Sequence, residues 1–126
     1  LCELYCQSPL PIFADESCFT SADVVRLADR VHGVNLKMMK CGGLSEAMRI
    51  VHTARAYGLQ VMFGCYSDSS LAITAAAHLS PLADHLDLDS HLNLLDDPFV
   101  GAQWVDGRVI PGDLPGLGVQ RREDTA

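Results

Sequence analysis

Four short apolar segments, each ending in a polar or glycine-rich cluster, recur along this chain: Pro-Ile-Phe-Ala-Asp-Glu-Ser at 11–17, Val-Asn-Leu-Lys at 34–37, Gln-Val-Met-Phe-Gly-Cys at 60–65 and His-Leu-Asp-Leu-Asp at 85–89. The markers Asp15, Lys37, Gly64 and Asp87 are spaced by 22, 27 and 23 residues. That interval fits one strand, one helix and their loops. The pattern predicts consecutive βα units, an α/β fold in which reactive side chains gather where the strands end.

The segments between the strands carry helical signals. Thr20 is followed three residues later by Asp23, and Val24, Leu27, Ala28 and Val31 repeat at helical spacing up to Gly33. Ser45 is placed to cap a second helix with Met48, Val51, His52 and Ala54, ending at Gly58, and Ser67 or Asp68 to open an alanine-rich third one. Strands are predicted at 12–15, 34–37, 60–63 and 86–88. Residues 1–10 read as the tail of an earlier element, with Leu1, Leu4 and Tyr5 on one helical face. After residue 95 the rhythm stops. Asp106-Gly107 between β-prone flanks signals a hairpin, 111–118 reads as loop and 121–126 as a polar, frayed end.

A chain of 126 residues has room for one modest core. Its formal charge of −7 argues against a nucleic-acid surface. It contains neither an apolar run of membrane-spanning length nor a basic region before an apolar stretch, so no membrane partner is expected. Five cysteines lack Cys-x-x-Cys spacing, which favours reduced, mostly buried thiols in a cytoplasmic protein over structural zinc.

Alternation along a strand puts Phe13 with Asp15, Asn35 with Lys37, and Asp87 with Asp89. Parallel strands are normally apolar on both faces, so a lysine and three aspartates at strand ends break the pattern. Solvated strand ends are one explanation, and a site is the other. Asp15-Glu16-Ser17 offers oxygen donors for a hard cation. His85, Asp87, Asp89 and His91 share a parity and would line one face for a transition metal if the strand ran that far. Gly64-Cys65 and Cys41-Gly42-Gly43 let backbone approach a ligand, and Cys41 as a nucleophile would need a base, His52 being over two turns away.

Ala-Asp-Glu-Ser at 14–17, Asn-Leu-Lys-Met-Met-Lys-Cys-Gly-Gly at 35–43, Gly-Cys-Tyr-Ser-Asp-Ser-Ser at 64–70, Asp-Leu-Asp at 87–89 and Asp-Asp-Pro-Phe at 96–99 resemble the C-terminal half of dipeptide epimerases, in the muconate-lactonizing branch of the enolase superfamily. The similarity runs from about residue 9 to about 119. It implies a partial (β/α)7β TIM-like barrel, a fragment holding the last four strands, since a whole barrel takes about 250 residues. Residues 1–95 would belong to the barrel, and 96–126 would form a C-terminal hairpin and tail near a missing capping domain.

By the same resemblance, Asp15 is the last of three Mg²⁺-binding carboxylates and Lys37 an acid/base lysine. Asp87 and Asp89 hold the substrate's α-ammonium group, and Gly64 and Cys65 are grouped with them as substrate-binding residues. The family's other two metal carboxylates and its Lys-x-Lys element have no counterpart here. The implied reaction is Mg²⁺-dependent epimerisation of a small dipeptide, such as L-Ala-L-Glu to L-Ala-D-Glu, by 1,1-proton transfer through an enediolate. To act as a base, Lys37 would need a pKa lowered from about 10.4 to about 7–8. Lys40, of opposite parity on an extended strand, is not assigned the proton transfer. An inactive βα fragment or amine-binding module stays open, as do a cycloisomerase or o-succinylbenzoate synthase activity and a homo-oligomer of the full-length protein.

Overall fold

The structure, a computed structural model, describes residues 2–122. A short helix α1 (Cys2–Gln7) leads into four parallel strands: β1 (Phe13–Ala14), β2 (Gly33–Leu36), β3 (Gln60–Phe63) and β4 (His85–Leu86). Between them lie α2 (Ser21–Leu27), the single turn α3 (Met38–Cys41), α4 (Leu44–Ala56) and α5 (Ser70–Leu79). The sheet order is β1-β2-β3-β4, each strand beside its successor in sequence. The order never reverses, as it would in a doubly wound sheet; it is that of a barrel sector.

The register explains which residues share a side. Ala14, Val34 and Val61 stand level, as do Leu36, Phe63 and Leu86. All of these but Leu86 are buried, and they form the core with Val24 and Leu27 of α2 and Ala47, Ile50, Val51 and Ala54 of α4. Leu86, on the edge strand, stays exposed. The opposite face carries Phe13, Asn35, Met62 and His85. Phe13 lies across Gly33, where a Cβ would come within 2.3 Å of its ring. It then meets His85 edge-on, ring centroids 5.4 Å apart. On a flat sheet β1 and β4 would be about 14 Å apart, so the sheet curls toward this face.

Local chemistry sets the helix ends. Asp23 accepts from the Thr20 N–H and hydroxyl at the start of α2, as the spacing predicts. The other two helices begin differently from expectation. Gly43, at φ 115°, precedes α4 in place of Ser45, and Glu46 turns back to accept from the Ser21 N–H and hydroxyl, tying α4 to α2. The α5 helix starts at Ser70 because Asp68 is buried in a turn of its own, accepting from the Tyr66 N–H. Asp97, from far along the chain, takes the Ser70 N–H and hydroxyl at 2.7 and 2.6 Å.

The C-terminal segment is laced to one face of α5. Besides the Asp97 contacts at Ser70, Thr74 accepts from the Ala102 N–H, and the His78 ring lies 3.0 Å from the Leu117 carbonyl. The expected hairpin is present as β6 (Gln103–Val105) and β7 (Arg108–Ile110). Its turn residues Asp106 and Gly107 sit at φ 49° and 75°, matching the right-handed twist of the flanking strands. A second pair, β5 (Phe99–Val100) with β8 (Gln120–Arg121), is antiparallel, so Arg121 is a strand residue and not part of a frayed end. Arg122 of that expected tail donates its N–H to the Pro98 carbonyl; residues 123–126, and Leu1 of the expected helical face, lie outside the described residues.

Candidate active site

Asp15, Lys37, Gly64 and Asp87 are each the first residue after their strand. By register and alternation all four fall on the concave side, at the C-terminal ends of the strands. The ladder runs one step further there, with the Gly64 N–H bonded to Leu36 O and the Asp87 N–H to Phe63 O.

Asp15 is the centre of the first cluster. Its Oδ2 accepts from Lys37 Nζ at 2.8 Å and from Asn35 Nδ2 at 2.9 Å, and its Oδ1 from Lys40 Nζ at 2.8 Å. Lys40 also donates to the carbonyls of Asp15 and Asn35, and its side chain is only 1% exposed. Glu16 Oε1 stands 3.8 Å from Lys37 Nζ, and the Tyr66 ring centroid 4.3 Å from it. Burial pushes the Asp15 carboxyl up, but the hydrogen bonds from Lys37, Lys40 and Asn35 outweigh it and hold the group below its ordinary value. Burial likewise disfavours the Lys37 ammonium, yet the hydrogen bond and charge of Asp15, with Tyr66 and Glu16 adding, lift Lys37 above its ordinary value. In this chain Lys37 is thus favoured as an ammonium paired with Asp15. Lys40, which is not assigned the proton transfer, is paired with the other oxygen of the same carboxylate.

The second cluster joins the ends of β3 and β4. Ligand atoms of Cys65, Asp87 and Asp89 lie within 4.8 Å of one another. Both aspartates are exposed and Cys65 is half-buried. Buried Asp68 donates its N–H to Ser90 Oγ at 3.2 Å, linking the loop after β3 to the loop after β4. The four-residue His85, Asp87, Asp89, His91 alternation does not form. The strand ends at Leu86, and Ser90–Asn93 is a 3₁₀ turn. His85 instead stands 3.2 Å from Gln60, and neither histidine belongs to the cluster. Asp87 and Asp89 are brought together by the loop instead of by strand alternation.

Gly64 has a packing reason. A Cβ there would lie 2.5 Å from Asn35 Oδ1, the side chain that donates to Asp15. Cys41 does not fit a nucleophile: it is buried, burial raises its thiol, its sulfur faces the Met38 and Gly43 carbonyls, and His52 is exposed. Lys40 and Tyr66 are the site neighbours that strand parity missed. The chain turns into α3 directly after Lys37, so residues three apart return to one side. The Lys37-x-x-Lys40 spacing was the available signal.

The donor set for Mg²⁺ is partial. Asp15 is one hard-oxygen carboxylate whose two oxygens are already paired with ammonium and amide groups. Among the described residues the grouped potential ligands are Cys65, Asp87 and Asp89, and Asp15 is not one of the group. These residues alone do not make a Mg²⁺ cage.

A family model described as "Enolase C-terminal domain-like" matches residues 1–125. The chain is 50% identical over 121 residues to a hydrophobic dipeptide epimerase of Flavobacteria bacterium, covering 96% of this chain and 35% of that protein. It is 52% identical over 116 residues to a hydrophobic dipeptide epimerase of Roseobacter litoralis, covering 92% and 34%. Its fold superimposes on a dipeptide epimerase of Enterococcus faecalis, solved with Mg and L-Leu-L-Tyr, with a TM-score of 0.85 and 33% identity over 96% of this chain and 36% of that one. The chain thus spans about a third of the length of the curated relatives it matches.

Proposed function

The chain belongs to the enolase C-terminal domain-like family, and from that premise we propose that it supplies one side of the active site of a dipeptide epimerase. The observation that carries this reading is the pairing of two different clusters on one rim: Lys37 bonded to Asp15, and Asp87 with Asp89 beside Cys65. An epimerase needs a proton carrier at the α-carbon and an anchor for the rest of the substrate.

Lys37 is the proton carrier. Paired with Asp15 it is held as an ammonium, so the arrangement favours the proton-donating stroke, and a base role requires that the charge of Asp15 be engaged elsewhere. Asp87 and Asp89 take the dipeptide's α-ammonium group, and Gly64 and Cys65 line the floor beside them. Asp15 contributes one ligand to a Mg²⁺ site completed by carboxylates from the rest of the full-length protein. When bound, Mg²⁺ supplies positive charge against a substrate carboxylate. The second proton carrier, on the opposite face of the substrate, also comes from outside these residues.

Residues 1–95 form the barrel sector in this reading. Segment 96–126 would pack near a capping domain, its described part being held at the start of α5 by Asp97. A lactonizing or succinylbenzoate-type substrate, having no ammonium group, leaves Asp87 and Asp89 without a role.

The test is epimerisation of L-Ala-L-Glu and L-Leu-L-Tyr by the full-length protein, each with a free and with an acetylated amine. Asp87→Asn and Asp89→Asn should each lower kcat/KM for the free amine by about 2–4 kcal/mol, and much less for the acetylated one. Equal effects on both substrates would remove the pair from the ammonium site.

A further inference from the structure

Tyr66 stands at the junction of the two clusters. Its ring centroid is 4.3 Å from Lys37 Nζ, and its neighbour Cys65 lies against Asp87 and Asp89. Its backbone is fixed from below, since its N–H donates to buried Asp68, whose own N–H donates to Ser90 Oγ in the loop that bears Asp87 and Asp89. Lys37 reaches the rim on a flexible four-carbon stem with Asp15 on one side. Asp15 at 2.8 Å and the more exposed Glu16 at 3.8 Å contact the ammonium, and neither by itself fixes its direction. A ring face on another side attracts the cation through its quadrupole and narrows its swing. The hydroxyl plays no part in this, because the attraction comes from the ring.

We propose that Tyr66 is a positioning residue for Lys37: its ring holds the ammonium at the face of the substrate from which Lys37 delivers a proton. The proposal rests on the epimerase reading above. It also requires the effect to be one-sided. The ring contact is with Lys37, so only the isomer whose α-proton faces Lys37 should depend on the ring.

The experiment is exchange of the α-proton with solvent deuterium in the full-length protein, measured separately from each isomer of a dipeptide, together with lysine ε-¹³C labelling and NMR. Tyr66→Leu should slow exchange from the Lys37-facing isomer by roughly 10- to 100-fold and leave exchange from the other within a factor of about two. Tyr66→Phe should restore the ratio. The Lys37 ε-protons, assigned by their loss in Lys37→Ala, should resonate upfield of ordinary lysine and return to the ordinary position in Tyr66→Leu. Equal slowing of both isomers, no slowing of either, or ε-protons at the ordinary position in the unmodified protein would each overturn the proposal. If Lys37→Ala leaves exchange from both isomers unchanged, the epimerase reading itself fails, and the NMR result still judges the ring contact.

Discussion

Lys40 and Lys37 share one carboxylate, yet their surroundings differ, and so do the consequences of disturbing them. Lys40 is 1% exposed at its side chain and Asp15 is 29% exposed. Removing the charge of Asp15 would leave an almost fully buried ammonium with only carbonyl partners. Such a loss typically costs about 3–5 kcal/mol. Asp15→Asn is therefore expected to destabilise the full-length protein as well as weaken Mg²⁺ binding, and adding Lys40→Met should recover most of the stability but none of the metal affinity. Denaturant unfolding and calorimetry read the two effects separately; an Asp15→Asn protein of undiminished stability would show that Lys40 does not depend on Asp15. At Lys37 the expected loss is catalytic. Lys37→Ala should abolish net epimerisation and retain exchange from the isomer facing the other carrier, and retained epimerisation would remove Lys37 from the chemistry. Gly64→Ala acts through a third residue, because the new methyl must displace the Asn35 amide from Asp15.

The element most dependent on a distant residue is α5. Its start is held by Asp97, and Ser70, Thr74 and His78, one and two turns apart, carry the contacts that fasten the C-terminal segment. Asp97→Ala should cost about 1–2 kcal/mol, the usual worth of a helix cap, and should loosen β5 and β8 first. Hydrogen exchange at residues 99–102 would register this, and unchanged protection there would argue against the tether. Burial pushes the Asp97 carboxyl up, but hydrogen bonds from Ser70 and the Phe99 N–H, with the charge of Arg122, hold it below its ordinary 3.8. Glu46 is lowered to about 2 by the Ser21 N–H and hydroxyl and by Arg49. A carboxyl lowered on folding stabilises the fold above its unfolded pKa and loses that contribution as pH falls through the folded one. Acid titration should therefore leave both links intact at pH 5 and weaken them as pH falls below about 4, the Glu46 link persisting to about pH 2. Loss of the α2–α4 link already at pH 5 would contradict this.

At the scale of the whole molecule, the curled four-stranded sheet has β1 and β4 at its edges, each paired on one side only among the described residues. Leu86, on the outermost strand, is 54% exposed, and Trp104 of the hairpin is 44% exposed nearby, both lining one cleft with Leu88 and Val109. Open edges beside apolar surface invite edge-to-edge pairing. The 126-residue chain in isolation is expected to aggregate or to melt over a broad range. A sharp, reversible melt of a dilute monomer in calorimetry would refute this.

Local periodicity carried the order of strands and helices, because a strand's two-residue repeat, a helix's apolar stripe and an Asp-Gly turn are fixed by nearby residues. It also carried Asp15, Lys37 and Asp87 to one rim, since each follows its strand directly and parallel register aligns the strand ends. Parity failed where the chain leaves the extended form. Lys40 returns to Asp15 through a helical turn, and Asp87 meets Asp89 and Cys65 through a loop. The Asp97 cap on α5 and the pairing of β5 with β8 join segments 27 and about 20 residues apart, and no short window of sequence contains both partners. The sign of the shift at Lys37 was likewise decided by the fold. Burial alone would have lowered it, and the nearness of the Asp15 carboxylate raised it, which is a matter of distance in space that the order of residues does not encode.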